Sequence, residues 1–266
     1  MELRISALYH YPVKSCRGIA LDSARLTPYG LEQDRHWMVV DAKGRFLTQR
    51  RFPRMALIEA EPRGDELTLR APGMPSLTVA AVVDRPLGVR IWGFEGEARD
   101  AGDRAAQWFR TFLRFDCRLA AATPALKRPV DRDYDRFGSE VLFADGFPFL
   151  LVSEASLEGL NARLVTPVPM SRFRPNIVVG GCEPHAEDGW RVLRIANELA
   201  FHVVKPCSRC TVPTVDQATG ERGDEPTVTL SGYRKANDGK IYFGQNLIHE
   251  TRSGVLRVGD AVSVLV

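Results

Sequence analysis

The sequence predicts a mainly β protein with a few helices, of the α+β class, and three observations point that way. Short runs of alternating apolar and polar residues recur along most of the chain. Gly and Pro, 22 and 17 of 266 residues, punctuate those runs. Only two stretches space their apolar residues for a helix. Short strands at this spacing favour a barrel or sandwich.

In chain order, Leu3, Ile5, Ala7 and Tyr9 alternate and form a first strand. A second follows over residues 20–26, closed by Pro28-Tyr29-Gly30. Residues 35–40 and 45–48, joined by Asp41-Ala42-Lys43-Gly44, spell a hairpin. Residues 55–60, 66–70, 77–82 and 89–94 repeat the strand pattern. A helix begins at Asp103, an N-cap residue type, with Ala105, Trp108, Phe109, Phe112 and Leu113 on one face. The polar, proline-bearing stretch 123–138 reads as a loop or domain boundary. Residues 149–152 form a short buried strand, after which Ser153 caps a helix with Leu157, Leu160 and Leu164 on one face. Strands return at 177–179, 191–195, 200–204, 240–243 and 255–266.

Composition excludes several classes of protein. A net charge of +3, from 36 basic and 33 acidic side chains, is too small to argue for nucleic acid or a membrane surface. No apolar run approaches the roughly 20 residues that span a bilayer. The first residues enter a strand pattern at once and do not resemble a signal peptide. Five cysteines at scattered spacing do not make a disulfide framework. These features lead to the expectation of a reduced, cytoplasmic protein.

The most informative segment is Cys207-Ser208-Arg209-Cys210, delivered by a strand through Lys205-Pro206 and continuing into Thr211-Val212-Pro213. Neighbouring cations favour the thiolate, which is the metal ligand and nucleophile. Cys16, Cys117 and Cys182 are single and no closely spaced histidine pair exists, which argues against structural zinc. Thr211-Val212-Pro213 is a poor helix opening for a thioredoxin-like dithiol. Two ordinary part-buried cysteines, or one thiolate on a redox-active metal within a larger cofactor, both stay open.

Other candidates are basic or acidic. In Tyr11-Pro12-Val13-Lys14-Ser15-Cys16-Arg17-Gly18, Lys14 and Ser15 at a turn suit an oxyanion. Arg35, Arg50, Arg51, Arg172 and Arg174 offer guanidinium forks, and Asn176 a paired donor and acceptor. Asp145, flanked by aromatics before a buried strand, reads as an Asx-turn residue, or, if buried, as a proton donor whose pKa burial would raise. Asp216 reads as a turn former. No phosphate-binding glycine loop or nucleophile elbow occurs.

Taken in order, these segments resemble the MOSC superfamily, most nearly the YcbX-like bacterial proteins and the mitochondrial amidoxime-reducing component. The resemblance is carried by Tyr11-Pro12-Val13-Lys14-Ser15-Cys16, Asp34-Arg35-His36-Trp37, Pro148-Phe149-Leu150 and Phe173-Arg174-Pro175-Asn176-Ile177. It continues through Gly181-Cys182, Ala186-Glu187-Asp188-Gly189-Trp190, Cys207-Ser208-Arg209-Cys210 and Arg257-Val258-Gly259-Asp260, nearly the whole chain.

The resemblance implies a MOSC N-terminal β-barrel domain over residues 1–120, packed on a MOSC domain over 121–266, and a bound molybdenum cofactor (molybdopterin). It assigns the metal-ligating thiolate to Cys210, phosphate contacts to Lys14, Ser15 and Arg35, pterin contacts to Arg174 and Asn176, and a catalytic role near the metal to Asp145. The implied activity is reduction of small N-hydroxylated compounds such as hydroxylamino-purines and amidoximes. No plant-type iron–sulfur cysteine spacing is present, so a separate iron–sulfur or flavin reductase is the expected electron donor. A non-catalytic carrier of the cofactor or of sulfur is the alternative.

Overall fold

The computed structural model describes residues 2–80 and 85–266. Its largest element is an eight-stranded sheet in the spatial order Val262–Val264, Val192–Ile195, Leu199–Ser208, Tyr242–His249, Phe149–Ser153, Ile177–Gly180, Arg4–His10 and Ile19–Leu21. An Arg4–Ala261 bridge curls this sheet toward a barrel, and the Ile5 and Val262 amides donate to Asp260 and Leu3 carbonyls, each at 2.9 Å. Inside it pack Ile5, Leu8, Phe149, Phe201, Leu247 and Leu256.

A second assembly covers most of the first 121 residues. It holds a four-stranded sheet (Trp37–Asp41, Cys117–Ala121, Phe94–Asp100, Pro86–Ile91) and a three-stranded meander (Glu59–Arg63, Glu66–Arg70, Leu77–Ala80). Helix α1, Asp103–Leu113, lies against both and buries Ala105, Trp108, Phe109, Phe112 and Leu113. That face is the one its apolar spacing predicts. The helix ends where Arg114 turns left-handed at φ 53°. Ser153 caps helix α2, Glu154–Asn161, its hydroxyl accepting the Ser156 amide.

Several sequence expectations change. Asp103 is the first helical residue and Gly102 the cap. The hairpin return arm, residues 45–48, forms no full strand but does pair back through a Val40–Phe46 bridge and the Asp41 and Leu47 amides. Trp37–Asp41 also pairs with Cys117–Ala121, a strand whose small residues hid it from periodicity. Residues 53–57 start as a 3-10 helix, because Pro53 is pre-shaped for a helix start. Residues 89–94 contain the end of one strand and the start of the next, joined at Trp92-Gly93. The strand into the thiol motif runs on through Pro206 and Cys207, with irregular register at Val203/Lys205 and Pro206/Ser208 that accommodates the proline. A third helix, Thr227–Tyr233, lacks a clear apolar period and was unforeseen. Of the expected strand 77–82, residues 81 and 82 lie outside the described residues.

The large sheet takes strands from both ends of the chain: Arg4–His10 pairs with Ile177–Gly180, and Val262–Val264 pairs with Val192–Ile195. Ser23–Thr27 pairs with Val255–Arg257 in a separate three-stranded sheet. A fragment of residues 121–266 is therefore expected to lose cooperative thermal unfolding, because the missing strands leave Phe149 and Ile177 uncovered. A cooperative melt at the full-length midpoint would refute this.

Candidate functional site

Where the two assemblies meet, a cleft of about 160 Å³ opens between the turn after the first strand, the 144–147 segment, and the segments at 173–176 and 207–212. Lys14, Ser15, Arg35, Asp145, Arg174, Asn176 and Cys210 all line it. Sheet pairing explains the meeting. The strand that ends at His10 lies beside Ile177–Gly180, so the turns next to each, Lys14-Ser15 and Arg174-Asn176, share one end of the sheet. Ser15, Arg35 and Arg174 each adopt left-handed φ values (68°, 50° and 58°), a cost for non-glycine residues that commonly collects at binding sites.

Lys14 is buried, and its ammonium donates to the Phe143 carbonyl at 2.8 Å and to Asp145 Oδ1 at 2.6 Å. Burial lowers its pKa; Asp145 opposes that, while Arg128 and Arg35 add to it. Asp145 corrects the sequence reading. The carboxylate stands at the cleft mouth with its side chain 75% exposed. Surrounding protein pushes its pKa up, but Lys14, Arg35 and Arg50 outweigh that and hold it at about 2. An ionised carboxylate is not a proton donor, so the expected raised pKa does not hold.

Tyr11, buried beneath the cleft, lies between the guanidinium groups of Arg35 and Arg174, 4.3 and 4.2 Å from its ring centre. Arg35 donates to Asp34 and, at 3.1 Å, to Asn176 Oδ1. That oxygen also accepts the Leu150 amide, and the Asn176 amide nitrogen donates to the Tyr9 carbonyl. The Asn176 amide is thus engaged inside the protein and orients Arg35, where the sequence suggested a free donor–acceptor pair for a heterocycle. Arg174 donates one terminal nitrogen to the Cys16 carbonyl at 2.7 Å. Its other terminal nitrogen is buried and has no partner among the described residues. Burial lowers the Arg174 pKa to about 10.

Cys210 is exposed on the cleft wall, immediately past the Leu199–Ser208 strand. The nearby cation serves the other thiol: Arg209 donates to Cys207 Sγ at 3.0 Å and anchors on the Phe173 carbonyl at 2.7 Å. Lys205 stacks instead on the Tyr134 ring, 4.0 Å from its centre. Cys16 and Cys117 are sealed in apolar surroundings, which push both thiols up to about 12. Among the described residues no three His, Cys, Asp or Glu side chains converge as a metal site. A metal held by Cys210 would take its other ligands from a cofactor.

Arg50 lines the cleft, but Arg51 and Arg172 stand apart from it. Arg51 stacks on Phe52 and Phe115, and Arg172 pairs with Asp216, which caps its own turn through the Ala218 and Thr219 amides. Sequence reasoning missed Arg128. From the polar connector, its buried guanidinium donates to the carbonyls of Leu142, Ala144 and Asp145, while Lys14 takes Phe143. Four successive carbonyls are thereby gripped by two cations, which fixes the loop that presents Asp145. Carbonyl recognition leaves no side-chain signature, so nothing in the sequence marks it.

The residues fit a molybdenum cofactor. The exposed thiol supplies a soft ligand, Lys14, Arg35 and Arg174 supply cationic character, and the unpartnered Arg174 nitrogen is a buried donor awaiting an acceptor.

Comparison with known proteins gives concordant matches. Residues 2–116 match the MOSC N-terminal beta barrel domain and residues 138–263 the MOSC domain. The chain is 38% identical to the mitochondrial amidoxime-reducing component 1 of Homo sapiens over 98% of its own length and 82% of that protein. It is 36% identical to the mitochondrial amidoxime reducing component 2 of Bos taurus, over 98% of this chain and 83% of that protein. Among solved structures, the YUAD protein from Bacillus subtilis aligns over 98% of this chain and 94% of its own, with TM-score 0.40 and 12% identity, too distant to carry an argument.

Proposed function

The chain belongs to the family of the mitochondrial amidoxime-reducing components, with their MOSC N-terminal and MOSC domains, and on that premise we propose that it is a molybdenum-cofactor-dependent reductase of N-hydroxylated compounds. The observation that carries this reading is an exposed Cys210 facing the same cleft as Lys14, Arg35 and Arg174. When bound, the cofactor supplies two-electron oxygen-atom transfer.

The chain's own residues would do the rest. Cys210 Sγ would hold the metal. The free Arg174 nitrogen would meet the pterin, and the Asn176-oriented Arg35, Lys14 and the Ser15 hydroxyl at the turn would hold its phosphate. Ionised Asp145 fixes the Lys14 ammonium, so of the two groups Lys14 is the one that would carry a proton in the cleft. The walls at Phe147, Phe149 and Phe173 exclude water from one side. A separate iron–sulfur or flavin reductase would deliver the electrons. Among the described residues no helix is long and apolar enough to cross a membrane.

The test is purification from a host that makes the cofactor, with elemental and pterin analysis, then turnover of an amidoxime under a chemical reductant. About one molybdenum per chain with turnover is expected. Stoichiometric molybdenum and pterin without turnover would instead identify a carrier.

A further inference from the structure

We infer that the hairpin tip at Trp92, outside the cleft proper, is a substrate subsite that stacks planar aromatic or heteroaromatic rings and so favours ring-bearing N-hydroxylated compounds over aliphatic ones. The inference rests on the reductase reading above and specifies which substrates that cleft prefers.

Trp92 is the most exposed aromatic side chain among the described residues, at 57%. It occupies the turn between strands Pro86–Ile91 and Phe94–Asp100 with a left-handed φ of 54°. Turns of this kind ordinarily place Gly, Asn or Asp there, and a bulky aromatic at positive φ is an outlier that points to a use. Its ring does not serve the core. Instead, Phe46 and the indole meet in a T-shaped pair, with ring centres 5.0 Å apart at 70°. The Arg50 guanidinium lies over one face of the indole, 4.9 Å from its centre, leaving the opposite side for a ligand.

Both neighbours connect the indole to the cleft. Arg50 lines the cleft and contributes to the field that keeps Asp145 ionised. The Phe46 ring lies 5.1 Å from the Lys14 ammonium at the cleft floor. Contacts therefore link Lys14 through the half-buried Phe46 ring to Trp92, and Arg50, which lines the cleft, bridges directly to the indole. Two buttresses hold the indole while more than half of it stays open to solvent. A pre-oriented π face of this kind suits offset stacking by a second planar ring, and its loss of rotamer freedom is already met in the free protein. A small aliphatic substrate whose N-hydroxyl group reaches the cleft floor has nothing to place on it.

The experiment uses the cofactor-loaded full chain, a chemical reductant, and two amidoximes, benzamidoxime and acetamidoxime. Trp92→Ala is expected to raise KM for benzamidoxime about tenfold more than for acetamidoxime, the scale of one lost stacking contact, and Trp92→Phe is expected to restore most of the difference. Equal changes for the two compounds, or none, would overturn the subsite. A defect seen only with a protein reductase, and absent with the chemical one, would overturn it in favour of a partner-docking surface. Parent protein that turns over neither amidoxime would bring down the reductase reading first, and the subsite with it. Trp92 is solvent-exposed, so an unchanged melting temperature separates these outcomes from misfolding.

Discussion

Cys210→Ala is expected to abolish molybdenum retention and, with it, N-reductive turnover by on the order of 10³-fold or more, while the melting temperature barely moves. The thiol is exposed and makes no packing contribution, so its removal should leave the fold intact. What it removes is the soft donor, and none of the other cysteines can replace it. Cys16 and Cys117 are sealed with pKa values pushed up to about 12, and Cys182 lies away from the cleft. Cys207 faces the same cleft, but its sulfur accepts the Arg209 guanidinium at 3.0 Å, and that guanidinium is itself tied to the Phe173 carbonyl. Cys207→Ala should therefore keep the metal and cost on the order of tenfold, the lower end of the scale for one hydrogen bond to a charged group. Metal analysis and activity on the same preparations decide the matter. Full activity in Cys210→Ala, or metal lost with Cys207→Ala alone, would transfer the ligand role.

How far this could be read from the sequence depended on the range of the interactions involved. Helix α1 was legible because its apolar stripe and its burial are the same local fact. The strand Cys117–Ala121 was not, because its partners at 37–41 and its small alanines give no period of their own. Individual site residues were recognisable as chemical types, yet only the family resemblance brought Lys14 and Cys210 together. The physical reason they meet is sheet pairing between distant segments, which residue spacing does not encode. The raised pKa that burial would have given Asp145 is absent for the same reason: flanking aromatics suggested burial, whereas the charge that governs the carboxylate is a lysine 131 residues earlier. Asn176 lines the cleft, but its partners are the Arg35 guanidinium and backbone groups of two other strands, which residue spacing does not encode either.

The corrected Asp145 leads to a pH experiment. With its pKa held at about 2, the carboxylate is ionised throughout the working range, so kcat/KM should show no acid limb that belongs to it. Its folded pKa lies below the unfolded carboxylate value, so its contribution to stability is present above about pH 4 and fades as pH falls through about 2. Solvent exposure keeps that contribution small. Lys14 sets the other side of the profile. Burial lowers its pKa, Arg128 and Arg35 lower it further, and Asp145 is the group that props it up through charge and hydrogen bond. Because the folded value lies below the unfolded one, burying this ammonium costs stability below the folded pKa, and that cost is relieved as pH rises past it. Asp145→Asn takes away the prop and leaves the two arginines, so the basic limb of kcat/KM is expected to move to lower pH, with activity at the plateau reduced on the order of 10²-fold. The outcome that would restore Asp145 as the titrating acid is an acid limb between about pH 5 and 7 in the parent that vanishes in Asp145→Asn. A basic limb that stays in place would show instead that the ammonium of Lys14 is not the proton-bearing group at the floor of the cleft.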